Sequence, residues 1–259
     1  MPEIKQKPVL AILSLTCCEG CQVAIFDLGE RFLDFLTRVN IGDFRLAEEL
    51  PDVDKYDIAV VEGTAITKEQ ERRLKIIRKK SKIVIAIGAC ALLGGPQEIK
   101  DYRGDKNQLI RQIYPNIRGI DNPNIKSVKE MIKVDYEIPG CPINKEEFFD
   151  IINKIIDNKK PKIEQKPVCE ECIRKNNTCL LLIGKPCLGA ISLAGCGAPC
   201  PKSDFPCDGC RGPRKGINLE AMKKALKIKA RLNDKDIEMI LQRFGKKNEL
   251  IPACRQAGK

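Results

Sequence analysis

Fourteen cysteines and no histidine stand in this chain of 259 residues. A thiolate binds metals, and four of them complete a site. Twelve of the cysteines sort into such fours. Cys18 and Cys21 form a Cys-x2-Cys directly after an apolar run, Cys90 closes "GAC", and Cys141 lies in "PGCP". Eight more follow residue 168. Cys169, Cys172, Cys179 and Cys187 are separated by two, six and seven residues, and Cys196, Cys200, Cys207 and Cys210 by three, six and two. Cys17 and Cys254 are left over. No small-residue cleavage site follows the first apolar run and no twin arginine precedes it, so the expected compartment is the cytoplasm. Disulfides do not persist there, and the thiols read as metal ligands.

Four thiolates serve zinc and iron–sulfur clusters alike. Composition does not separate the two, but two features favour iron. The total divides into three fours plus two spares, and the first four fall at strand ends, an odd home for structural zinc. A zinc ribbon instead brings two closely spaced pairs together on short knuckles. One cysteine at a strand end reads as a small buried hydrophobe; four, each near a glycine, read as a site. The formal charge of +11 fits the same picture. Each [4Fe-4S] core with four thiolates carries about −2, so three would bring the total to about +5. Only 5% of residues are aromatic and tryptophan is absent, which argues against a nucleic-acid module. No apolar stretch approaches the length of a membrane span.

These thiols need elements to hold them. "PVLAILSL" (8–15), "YDIAVVEG" (56–63) and "KIVIAIGAC" (82–90) are continuous apolar runs, the pattern of strands buried on both faces, and "VDYEIPGC" (134–141) reads as a fourth strand. Between them Ile25, Leu28, Phe32, Phe35 and Val39 fall at helical spacing. Residues 67–80 predict a helix opened by a Thr67–Gln70 capping box, and 144–158 a helix capped by Asn144. Strands alternating with helices imply a doubly wound parallel sheet of α/β class, flavodoxin-like, whose strand ends line one crevice. Cys18, Cys21, Cys90 and Cys141 converge there, with Glu62 pointing to the same place and Gly20, Gly88 and Gly140 beside the thiols. Residues 159–168 read as a linker. The expected division is 1–160, the α/β domain, and 161–259, a small irregular cluster-binding domain ending in two helices within 217–245, the second stopped by Gly245. The segment 169–210 has too few large apolar residues to fold alone, so metal must contribute its folding energy. Gly195, Gly197 and Gly209 are placed to aim N–H groups at sulfur.

The series "LTCCEGCQ", "VEGT", "GACALLGG", "IPGCP", "PCLGAISLAGCGAPCP" and "FPCDGCRG", in this order, resembles the small, electron-transfer subunits of [NiFe] hydrogenases over about residues 8–215. The compact length resembles the cytoplasmic branch: sulfhydrogenase delta subunits and the small subunits of F420-reducing and viologen-reducing enzymes. The resemblance implies three [4Fe-4S] clusters. Cys18, Cys21, Cys90 and Cys141 match the ligands of the proximal cluster, and Glu62 the glutamate beside it. Cys196, Cys200, Cys207 and Cys210 match the medial cluster, which has three irons in many relatives where proline replaces one ligand. Cys169, Cys172, Cys179 and Cys187 match the distal cluster, where many relatives have a histidine at the position of Cys169. An all-cysteine distal site implies a lower potential. Cys17 departs from the pattern, since the related quinone-reductase subunit ligates its cluster with adjacent cysteines; the Cys18–Cys21 pair is the preferred reading. "GCPI" stands where the family usually has two prolines. The implied partners are a large subunit carrying the nickel–iron site, and with it the hydrogen chemistry, and an electron-acceptor subunit containing flavin or iron–sulfur centres. A zinc-stabilised module and a quinone-oxidoreductase-like subunit are the rival readings; the latter leaves the eight later cysteines without a role.

Overall fold

A computed structural model describes residues 7–47, 53–102, 104–120 and 123–245; Cys254 lies outside them. Among the described residues, five parallel strands form one sheet: β1 (Val9–Ser14), β2 (Asn40–Asp43), β3 (Tyr56–Glu62), β4 (Ser81–Ile87) and β5 (Tyr136–Ile138). Their order is β2-β1-β3-β4-β5, the flavodoxin-like arrangement, which reverses direction between β1 and β3. Leu10–Leu13, Ile58–Val61 and Val84–Ile87 are buried throughout. Such runs exist because helices shield both faces of a parallel sheet, so no alternate residue meets water.

The helices in chain order are α1 (Gly20–Phe26), α2 (Glu30–Leu36), α3 (Lys68–Lys80), α4 (Gly88–Leu93), α5 (Ile99–Tyr102), α6 (Lys106–Arg111), α7 (Val128–Met131), α8 (Lys145–Ile156), α9 (Val168–Arg174), α10 (Pro199–Lys202), α11 (Leu219–Lys229) and α12 (Asp234–Leu241). The helical periodicity between Ile25 and Val39 is interrupted: Gly29, at φ 60°, separates α1 from α2. The apolar face survives the break. Phe26 stacks on Phe44 at 4.9 Å, and Phe35 meets Phe149 of α8 edge-on at 6.0 Å. Each such pair contributes about 0.5–1.5 kcal/mol beyond its burial.

The Thr67 hydroxyl accepts from the Gln70 N–H at 3.1 Å, half of the expected capping box. The return half goes elsewhere: Gln70 Oε1 accepts from the Ile66 N–H, and its amide bonds the Thr16 hydroxyl. The helix start is thereby tied to the loop after β1. Asn144 caps α8 as expected. β4 ends at Ile87, and the chain turns at Gly88 into α4, so Cys90 stands in the first turn of a helix rather than on the strand. β5 is also shorter than the apolar run, leaving Cys141 three residues beyond its last residue.

The chain divides into two compact units. One comprises the described residues up to Leu92 with Gly119–Ile138 and Pro142–Pro161; the other comprises Leu93–Arg118, Pro139–Cys141 and the residues from Lys162 onward. The second unit has more apolar substance than residues 169–210 alone suggest. Leu188, Ile191, Ile217, Met222, Leu226, Ile237 and Leu241 form a buried cluster, most of it from α11 and α12. Asn218 and Asn233 cap these two helices.

Candidate metal centres

The first site lies where the sheet order reverses. Beyond the strands proper, Thr16 and Thr64 exchange N–H···O bonds of 3.1 Å in both directions, holding the ends of β1 and β3 together. Gly63, at φ 88°, makes this possible: a Cβ there would sit 2.8 Å from the Thr16 carbonyl oxygen. Past this clasp come Cys17, Cys18 and Glu19, the last in the left-handed region at φ 58°, and the chain enters α1 at Gly20. Glu62, 2% exposed, is the anchor. Its two carboxylate oxygens accept from the N–H groups of Cys21 at 3.1 Å and Gln22 at 3.3 Å. The last residue of β3 thus fixes the first turn of α1, and with it the Cys18–Cys21 loop.

Cys21 is buried, Cys90 half-buried, and Cys18 and Cys141 exposed. Burial, then the Glu62 carboxylate, pushes the Cys17 thiol up to about 12; Cys90 adds to the effect and the Glu19 N–H opposes it. Cys17 therefore lies in the same neighbourhood as Cys90 and Glu62, and its thiol donates to the Leu15 carbonyl at 3.7 Å. The Gln22 side-chain NH2 is buried without a hydrogen-bond partner.

In the second unit the eight later thiols act on one another in two overlapping groups. Burial, then Cys187, Cys172 and Cys179, pushes Cys169 up to about 11. Cys187 is raised by burial and, more weakly, by Cys172 and Cys179, against N–H groups of Gly189 and Cys207. Cys169 and Cys187 thus lie near Cys172 and Cys179. Burial, opposed by the Cys141 N–H, pushes Cys210 up to about 11, with Cys196 and Cys200 adding to it. Burial, opposed by the Gly209 N–H and the Ser192 hydroxyl, pushes Cys207 up to about 12, with Cys187 and Cys210 adding to it. Cys196 is raised by burial, opposed by the Ala198 N–H and Arg211. Burial of its sulfur, then Asp208, raises the Cys200 thiol. At neutral pH such thiols hold their protons, and a bound cation must displace them.

Two backbone bonds cross between groups. The Cys207 N–H donates to Cys187 Sγ at 3.4 Å, and the Cys141 N–H to Cys210. Three polar residues that spacing alone did not single out shape the second unit. Arg211, 4% exposed, donates to the carbonyls of Leu193, Ala194 and Pro139. Asp208 pairs with Arg243 at 2.6 Å. Glu171 takes the N–H groups of Gly195 and Gly197, which therefore do not point at sulfur as expected; the Gly209 N–H does. The sequence marks them only as an arginine directly after Cys210 and a glutamate inside a Cys-x2-Cys, neither of which names its partner.

Among the described residues no three His, Cys, Asp or Glu side chains close on a single ion position. The donor set nevertheless fits iron–sulfur ligation. It is all thiol, and backbone N–H groups reach its sulfurs.

Residues 18–155 match the family described as NADH ubiquinone oxidoreductase, 20 Kd subunit. The delta subunit of sulfhydrogenase 2 from Pyrococcus furiosus is 34% identical, covering 92% of this chain and 99% of that protein. A vhu subunit of the F420-non-reducing hydrogenase of Methanocaldococcus jannaschii is 31% identical over 93% of this chain and 96% of its own. A relative from Archaeoglobus profundus, 29% identical over 79% of this chain and 82% of its own, is named an iron-sulfur subunit of F420-non-reducing hydrogenase. A chain in the crystal structure of an NAD+-reducing [NiFe]-hydrogenase superposes with a TM-score of 0.54 at 26% identity, covering 61% of this chain and 96% of that one. The [NiFeSe] hydrogenase of Desulfomicrobium baculatum shares the fold at 16% identity and a TM-score of 0.53, over 80% of this chain and 95% of that one. The likeness to the Pyrococcus protein runs past the end of the 20 Kd match and through both units. The chain belongs to the iron–sulfur small subunits of [NiFe] hydrogenases, whose α/β part is shared with that wider family.

Proposed function

We propose that this chain relays electrons one at a time between the nickel–iron site of a separate large subunit and an acceptor subunit carrying flavin or iron–sulfur centres. The path would run through three [4Fe-4S] clusters in the order proximal, medial, distal. Bound iron–sulfur clusters supply one-electron redox chemistry at low potential; the chain supplies their positions and surroundings. Cys18, Cys21, Cys90 and Cys141 would hold the proximal cluster, with Glu62 fixing the loop of the first two. Cys196, Cys200, Cys207 and Cys210 would hold the medial one, and Cys169, Cys172, Cys179 and Cys187 the distal one. The α/β unit would face the large subunit, and residues from Lys162 onward would form the iron–sulfur domain. The compartment proposed is the cytoplasm; no helix among the described residues is long and apolar enough to cross a membrane.

What supports this reading is the nearness of Cys169 to Cys172, Cys179 and Cys187, that of Cys210 to Cys196, Cys200 and Cys207, and the Cys207 N–H to Cys187 Sγ bond. The Cys141 N–H to Cys210 bond supports the medial cluster as next neighbour of the proximal one. Such bonds shorten the through-chain route between ligands of successive clusters. The test is anaerobic purification with metal analysis and paramagnetic resonance. A brown protein with about twelve iron and as much labile sulfide per chain, four for each site, is expected. A colourless protein carrying zinc overturns the proposal.

A further inference from the structure

One helix touches both groups of thiols in the second unit. Helix α9 carries Cys169 and Cys172 of one group, and between them stands Glu171, whose carboxylate reaches the other. Its Oε1 accepts from the Gly195 N–H at 2.9 Å, and its Oε2 from the Gly197 N–H at 3.0 Å. Oε2 also lies 3.8 Å from Cys196 Sγ, the residue between those two glycines. Lys175, at the end of the same helix, donates to the Gly197 carbonyl. Three backbone groups around Cys196 are thus held from α9.

We propose that Glu171 is a positioning residue for the Cys196 loop and keeps the potential of the medial cluster low. This rests on the reading that Cys196, Cys200, Cys207 and Cys210 hold a cluster. Backbone N–H groups aimed at cluster sulfur favour the electron-rich reduced form and raise the potential. Two N–H groups that flank this ligand are turned to a carboxylate instead. The carboxylate's own charge beside the ligand sulfur acts in the same direction, because adding an electron near a negative charge is disfavoured. The buried Arg211 guanidinium, next to Cys210, acts the opposite way, and its N–H groups are directed at three carbonyls. A middle site poised far above both neighbours would make the onward transfer uphill, and a lower potential eases that step.

The experiment is a redox titration of the anaerobically purified complex, followed by paramagnetic resonance. The medial signal is assigned as the one altered in Cys210→Ser. In Glu171→Gln the medial midpoint should rise while the other two stay in place and iron content is unchanged. In Lys175→Met, which removes an exposed positive charge at the same loop, the medial midpoint should fall by less. An unmoved midpoint in Glu171→Gln with full iron overturns the proposal. So do shifts of the same sign in both variants, which would mean a loosened loop rather than a changed field. Should Glu171→Gln fail to hold medial iron, Glu171→Asp is titrated in its place. It keeps the charge but draws it back by one methylene: a smaller rise supports the proposal and no shift overturns it. Zinc in place of iron in the unmutated protein sinks the earlier reading before any variant is made.

Discussion

Cys17 and Cys18 are adjacent thiols with different surroundings. Cys18 is exposed on the loop that Glu62 secures, whereas the Cys17 thiol turns back to the Leu15 carbonyl. Cys17→Ala should leave the iron content of the purified complex unchanged, while Cys18→Ala should lower it by about a third, one site of three; a loss of that size in Cys17→Ala would exchange their roles. Glu62→Ala removes the acceptor of two buried N–H groups, at a cost of about 1–3 kcal/mol for each one left unpaired. A lowered melting temperature with selective loss of the proximal signal is expected. The thiols of the second unit were legible by their close spacings, and Glu62 because it ends an apolar run. Glu171 and Arg211 were not. Their partners lie 24 residues away for Gly195 and 72 for Pro139, and no local pattern encodes such a pairing.

At the scale of elements, the sheet was readable wherever its strands are apolar throughout. β2 was missed. "NIGD" combines Asn, Gly and Asp, all poor strand formers, and pairing with β1 overrides their preference. β5 supplies an acid-sensitive joint at its start. Asp135 is pulled upward by burial, but the Val84 N–H at 2.8 Å and the Arg78 guanidinium outweigh this and hold its carboxyl below the usual range. A depressed folded value means stability that is present above the unfolded value, near 3.9, and lost as pH falls through the lower folded one. Asp135→Asn should therefore lower the melting temperature at pH 7, with a cost of about 1–2 kcal/mol. That difference should shrink below about pH 4, and a pH-independent difference would refute the assignment. The loop before α10 holds Ala198 fully buried at φ 50°, a conformation costing about 1 kcal/mol for a residue with a Cβ. Ala198→Gly should leave medial iron intact, because glycine takes this conformation freely. Ala198→Val should abolish it.

At the scale of the molecule, charge and iron are coupled. The chain carries +11. Burial raises many of the later thiols, so filling the proposed sites would release protons as thiols become thiolates. Anaerobic reconstitution of the iron-free complex should acidify a weakly buffered solution by up to about four protons for each site filled. A release of none would mean the thiols were ionised beforehand. Apolar side chains also remain in contact with water in the first unit: Val23 on α1 is 56% exposed and Leu33 on α2 63%. The chain expressed without its large subunit should aggregate or lose iron, and sedimentation as a stable monomer would count against that.

The apolar cluster of the second unit carries a further consequence, one of timing. Leu188 and Ile191 lie between Cys187 and Cys196, but the residues they pack on, Met222 to Leu241, leave the ribosome later than Cys210 does. A nascent chain with all eight of these sulfurs already outside the exit tunnel still lacks the greasy floor beneath them. Metal meeting those thiols at that stage would do so without the support that Met222 to Leu241 supply.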